Sequence, residues 1–207
     1  MAAKRKSGGR SKKESPDGIG LLGMELQEIH SAENQLSRVL PRLAKVVESN
    51  TLRQMLEERL TQGERLIEDV DTALEELEMT PGRKKNVAAE GLVSDVREHI
   101  QEIEAGPALD AVIIASMQKT EHYCIAAWGT VKALAEAMGQ KTVVKSMERV
   151  LKEGKQVDEQ LTQLAETEIN PAVIAQGQSE VEEDESEEEG SGRKSGRSEQ
   201  RSSRTSH

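Results

Sequence analysis

Three features of this 207-residue chain predict an all-α fold: a four-helix bundle with a crossover helix and charged tails. Four long stretches repeat apolar residues every three and four positions, the spacing of a single helix face. Leu, Ala, Glu, Lys and Met dominate, all strong helix formers, while Phe is absent and there is one Tyr and one Trp. No β-branched run is bounded by the Asn-Gly or Asp-Gly turns that mark hairpins.

The first helix is predicted from about Ile19 to Glu48, with the inward series Leu22, Leu26, Ile29, Glu33, Leu36, Leu40, Leu43, Val47. Pro41 brings no backbone donor and should kink it. Ser49 or Asn50 can cap a second helix that stops at Thr80-Pro81-Gly82. Its inward series reads Leu56, Leu60, Gly63, Ile67, Val70, Leu74, Leu77. A shorter amphipathic segment follows over roughly 87–103. The third long helix, about Ala108 to Met138, presents Ile113, Met117, Thr120, Cys124, Ala127, Val131, Leu134 and Met138, with Glu121 flanking the series. Gly139 is its expected C-cap. The fourth, roughly Lys141 to Thr167, presents Val143, Met147, Val150, Gly154, Val157, Leu161 and Leu164, and Asn170-Pro171 is expected to close the folded region.

Spacings of three and four held over whole helices give the narrow seam of left-handed bundle packing. The short links between the first and second helices, and between the third and fourth, make each pair antiparallel neighbours, joined by a long crossover. Antiparallel pairing sets the four midpoints at one level, which holds Glu33, Gly63, Glu121 with Cys124, and Gly154. A carboxylate therefore replaces a leucine deep inside a helix of about 40 Å. Burying it costs several kcal/mol unless a partner, a proton or a metal meets it.

The formal charge of -10 is unevenly spread. Residues 1–17 carry +4, the run 180–189 holds eight acids, residues 190–207 carry +4, and residues 18–179 carry -10. Both ends lack large apolar side chains, so the domain organisation reads as a disordered basic tail over 1–17, a bundle over 18–172, and an acidic then Ser/Arg-rich disordered tail over 173–207. An acidic body without stacking aromatics argues against nucleic-acid binding, although the tails invite charge-based contacts. Cys124 stands alone and no intrachain disulfide is possible. A polar N-terminus and the lack of a long uncharged apolar run leave a cytoplasmic protein off the membrane.

Several motifs carry a family resemblance. His30-Ser31-Ala32-Glu33-Asn34-Gln35-Leu36 with Leu40-Pro41, Ala89-Glu90-Gly91-Leu92, and Lys119-Thr120-Glu121-His122-Tyr123 with Gly129-Thr130 resemble the signatures of the YciE/YciF-like ferritin-like family. Glu153, Lys155, Asp158 and Leu161 keep that family's order in the last helix, and the similarity runs from about residue 20 to 165. The resemblance implies a bacterial, stress-associated, often dimeric bundle whose carboxylates hold two metal ions, iron or manganese.

The chain departs from that pattern at three places. Thr61-Gln62-Gly63 stands where the family shows adjacent glutamates before a threonine. Cys124 and Gly154 each replace a further glutamate. The candidate ligands that remain are Glu33, Glu121, Glu153, Asp158 and His30. His30 lies one turn before Glu33 and shares its face, whereas His122 points about 100° away from Glu121. A di-metal site needs roughly four carboxylates, typically with two imidazoles. Two functions follow: a ferritin-like stress-associated protein with a degraded site and a structural or interaction role, or an iron- or manganese-binding oxidoreductase or iron-handling protein with a rearranged one. A buried acid pair sharing a proton, or accepting from Tyr123 or Gln62, is the alternative state of Glu33 and Glu121.

Overall fold

Asp17 opens the first helix by accepting the Gly20 amide on its side chain at 2.7 Å. The computed structural model describes residues 15–178, so the calls on most of both tails lie outside the described residues. Among the described residues every regular element is helical: α1 (Gly18–Val46), α2 (Asn50–Glu76), α3 (Val87–Glu102), α4 (Pro107–Ala137) and α5 (Lys141–Leu164). Contacts run around the bundle in the order α1, α2, α5, α4, with α3 laid across α1 and α4. This is the ferritin-like arrangement of two short-linked antiparallel pairs and a crossover.

The whole inward series of α1 is buried, from Leu22 to Val47 and including Glu33. α1 runs without interruption through Pro41. Its C-terminal carbonyls are taken up by Arg53 of α2, whose Nε donates to Ala44 O at 3.0 Å and Nη2 to Val47 O at 2.7 Å. Ser49 caps α2, and the amides of Glu48 and Ser49 donate to the buried Asp110 carboxylate at 3.1 and 2.8 Å. Gly139 adopts φ +69 after α4, and the Gln140 amide closes back on Ala135 O, the left-handed ending expected of that glycine.

Asn86 anchors the crossover. Its side chain caps α3 at Ala89 and also donates to Glu28 O and to the Tyr123 hydroxyl, while its own amide donates to Ser31 Oγ.

Two expectations need correction. The buried face of α2 is Leu52, Leu56, Arg59, Gly63, Leu66, Val70 and Ala73 with Leu74, whereas Leu60, Ile67 and Leu77 are only partly buried. The helix is thus rotated from the predicted series so that an arginine points inward. At the other end the chain does not stop at Asn170-Pro171. A π-helical turn, Ala165–Ile169, lets the Asn170 amide reach Ala165 O, and helix continues over 170–178. The wider turn takes up the proline, which has no amide to give.

Candidate functional site

The level at which the four helix midpoints meet holds a guanidinium. Arg59 is 2 % exposed and lies between Glu33, 1 % exposed, and Glu121, 0 % exposed. Its Nη1 and Nη2 donate to Glu33 Oε2 and Oε1 at 3.0 and 3.1 Å, a two-pronged pairing. Its Nε donates to Glu121 Oε1 at 2.5 Å. Cys124 Sγ lies 3.9 Å from both Arg59 Nη2 and Glu33 Oε1, and the Trp128 ring faces the guanidinium at 5.7 Å from its centroid.

Arg59, Glu33, Glu121 and the Cys124 thiol therefore share one buried chamber, with one positive charge for two carboxyls. Burial works against the Arg59 charge, but Glu33 and Glu121 outweigh it and hold the guanidinium firmly protonated. Burial pushes the Glu121 carboxyl above its ordinary range; Arg59 pulls it back only in part, and Glu33 and Asp158 add to the rise. Its second oxygen, Oε2, is buried without a hydrogen-bond partner. Burial, reinforced by Glu33, likewise drives the Cys124 thiol well above its usual value, which makes it a poor nucleophile.

Neighbouring glycines are shaped to this cluster. A Cβ on Gly63 would lie 2.9 Å from Glu33 Oε2 and 3.0 Å from Arg59 Nη1. One on Gly154 would lie 2.6 Å from Trp128 Cζ3 and 3.2 Å from Glu121 Oε2. Of the positions where the resemblance implies glutamates, Gly154 therefore has no space for one unless Trp128 moves.

Of the five candidate ligands, Glu33 and Glu121 come together, on Arg59. The other three are engaged elsewhere. His30 Nε2 pairs with Asp71 at 3.2 Å, Asp158 with His122 at 3.3 Å, and Glu153 lies 3.6 Å from Arg65 and 3.9 Å from Arg149. Among the described residues no three His, Cys, Asp or Glu side chains gather as a metal-binding group. A pair of metal ions does not fit this chamber. Its centre is filled by a permanent cation with no lone pair to donate. The void beside that cation, between Gln62, Trp128 and Glu153, measures about 10 Å³, space for one water at most.

Arg59 was missed in the sequence. The signal was present: Leu52, Leu56, Gly63, Leu66, Val70 and Ala73 leave a gap in a strict four-three series, and position 59 fills it. Charged residues are rarely buried unpaired, so periodicity alone does not place an arginine in the seam.

Fold and centre together define an all-helical, ferritin-like bundle protein with a guanidinium buried between two carboxylates at its midpoint. Residues 20–174 match the family described as "Domain of unknown function (DUF892)", and the chain belongs to that family. It is 38% identical over 146 residues to the protein YciF of Escherichia coli K12, covering 70% of this chain and 88% of YciF. The crystal structure of that E. coli stress protein matches with a TM-score of 0.71 at 35% identity, over 75% of this chain and 99% of the other. YcfI of Rhodopseudomonas palustris, to which a structural role is ascribed, matches with a TM-score of 0.67 at 31% identity, over 71% of this chain and 94% of the other. A protein of Xanthomonas campestris pv. campestris shares the fold, with a TM-score of 0.62 at 17% identity over 78% of this chain and 99% of the other.

Proposed function

We propose that this chain is a stress-associated structural protein of the YciF type, cytoplasmic and homodimeric, whose bundle is centred on an internal ion triad and carries out no redox chemistry. The observation that carries the reading is Arg59, held by both prongs to Glu33 and by Nε to Glu121. In ferritin-like centres two metal ions neutralise the convergent carboxylates; in this chain one arginine meets that electrostatic need without a cofactor. Glu33 and Glu121 then serve as ion-pair partners rather than ligands, and Glu153, Asp158 and His30 make polar contacts outside the centre. The names of the E. coli and R. palustris relatives support the stress-associated and structural parts of the reading. No helix among the described residues is long and apolar enough to cross a membrane.

The test is the metal content of protein purified from its native host, together with ferrous-iron oxidation and sedimentation. Substoichiometric iron and manganese, no oxidation, and a dimer at tens of micromolar are expected. Two tightly held ions per chain would instead establish the metal-dependent oxidoreductase or iron-handling function.

A further inference from the structure

The second half of α1 carries Arg38, Arg42 and Lys45 at spacings of four and three, one continuous outer stripe of about 10 Å. All three are exposed, and none has a carboxylate partner among the described residues. The acids of α1, Glu25, Glu28 and Glu33, all precede the stripe. Residues 18–179 carry -10 overall. Among the described residues α5 also presents exposed lysines without an ion pair, Lys141, Lys145, Lys152 and Lys155, but the α1 stripe is the one that borders an apolar groove at the α1–α2 turn. That groove, of about 470 Å³, opens between α1 and α2, floored by Leu40, Pro41, Ala44, Leu56 and Leu60, with Lys45 and Arg53 and one acid, Glu57, around it.

The chain leaves the bundle at this same end. Ser49 Oγ, in the α1–α2 turn, donates to Glu168 at 3.1 Å. Asp110, at the start of α4, accepts from that turn, and the Gln176 side chain lies near Gly106, just before α4. The described helix ends at residue 178, and the run 180–189 follows at once with eight acids in ten residues. Ten extended residues span about 35 Å, enough to cross the end of a bundle two helices, or about 20 Å, wide.

We propose that the Arg38–Arg42–Lys45 stripe is the docking face for this chain's own acidic run, residues 180–189, which lies along the stripe and covers the α1–α2 groove. Carboxylates of the run pair with two guanidiniums and an ammonium that nothing on the bundle neutralises. The basic residues at both ends of the chain compete for the same acids, and the stripe wins by its fixed spacing and its position beside the exit point. Docking asks nothing of the buried triad, so it stands or falls apart from the metal question.

Zero-length carbodiimide coupling of the full chain, read by mass spectrometry on an equal mixture of unlabelled and ¹⁵N-labelled protein, tests this directly. Coupling of Lys45 to glutamates of 180–189 within single isotopic chains is expected, falling severalfold when salt is raised, because exposed charge pairs are screened. The variant Arg38→Ser/Arg42→Ser, with its helicity checked by circular dichroism, should lose most of that coupling although Lys45 remains. Links of the acidic run only to Lys4, Lys6, Lys12, Lys13 or Lys194, or to Lys141, Lys145, Lys152 or Lys155 of α5, would overturn the proposal. So would Lys45 links joining labelled to unlabelled chains, which would make the occupant a second copy.

Discussion

Arg59 and Glu33 meet edge to edge at the centre of the bundle, Nη1 on Oε2 at 3.0 Å and Nη2 on Oε1 at 3.1 Å, both side chains almost wholly out of solvent. A pairing so dry is a poor source of net stability but a severe liability when broken, because the partner left behind stays charged in a low-dielectric core. Arg59→Leu should therefore lower unfolding free energy by about 3–5 kcal/mol in urea titrations. Adding Glu33→Leu and Glu121→Leu to it should recover most of that loss, since a well-packed apolar core replaces buried ion networks at little cost. A triple variant as unstable as the single one would show that Arg59 holds the bundle by something other than charge compensation.

This centre also shows where the sequence stopped being readable. Helix count, the crossover, the short links and the shared level of Glu33, Gly63, Glu121 and Gly154 were legible because each follows from local periodicity and chain length. The facing side of α2 was not. Two overlapping four-three series run along that helix, and choosing between them required knowing that two carboxylates from α1 and α4 would wait there for a cation. The continuation of helix past Pro171 was hidden for another reason: a π turn depends on packing against α4, and no residue type announces it.

Glu121 should give stability an unusual pH dependence. Its carboxyl is raised in the folded chain by burial, so the folded state holds that proton more tightly than the unfolded one. The resulting stabilisation is complete below the unfolded carboxyl value, near pH 4.5, and is lost as pH rises through the higher folded value. Glu121→Gln, which resembles the protonated form, should remove this contribution. Denaturation of wild type and variant from pH 4.5 upward should show the variant gaining relative stability as pH rises. Parallel curves would mean that Glu121 stays ionised throughout.

Glycine substitutions should separate tight from open positions. Gly154→Ala forces Trp128 and Glu121 to move and should cost about 1–3 kcal/mol, as overpacked cores do. Gly129 has nothing within 4 Å of an added Cβ, and Gly129→Ala should instead stabilise α4 by about 0.5–1 kcal/mol through helix propensity. Thermal melts of the two variants should shift in opposite directions.

Metal-dependent stability is the last expectation, and the buried cation decides its form. Added Fe²⁺ or Mn²⁺ should leave the wild-type melting temperature nearly unchanged, because a ligand raises stability only through its affinity for the native state. Restoring carboxylates by Gln62→Glu, Cys124→Glu and Gly154→Glu should not by itself create that affinity. Arg59 would still occupy the space between Glu33 and Glu121, and a side chain at 154 would run into Trp128. Combining the first two substitutions with Arg59→Ala opens the chamber, removes the competing charge and leaves four carboxylates facing one another. That variant should be less stable without metal, from like-charge crowding, and should gain several degrees on addition of Mn²⁺. A gain in the carboxylate variant that still carries Arg59 would show that the guanidinium can swing aside, and the chamber would then be a gated metal site rather than a replaced one.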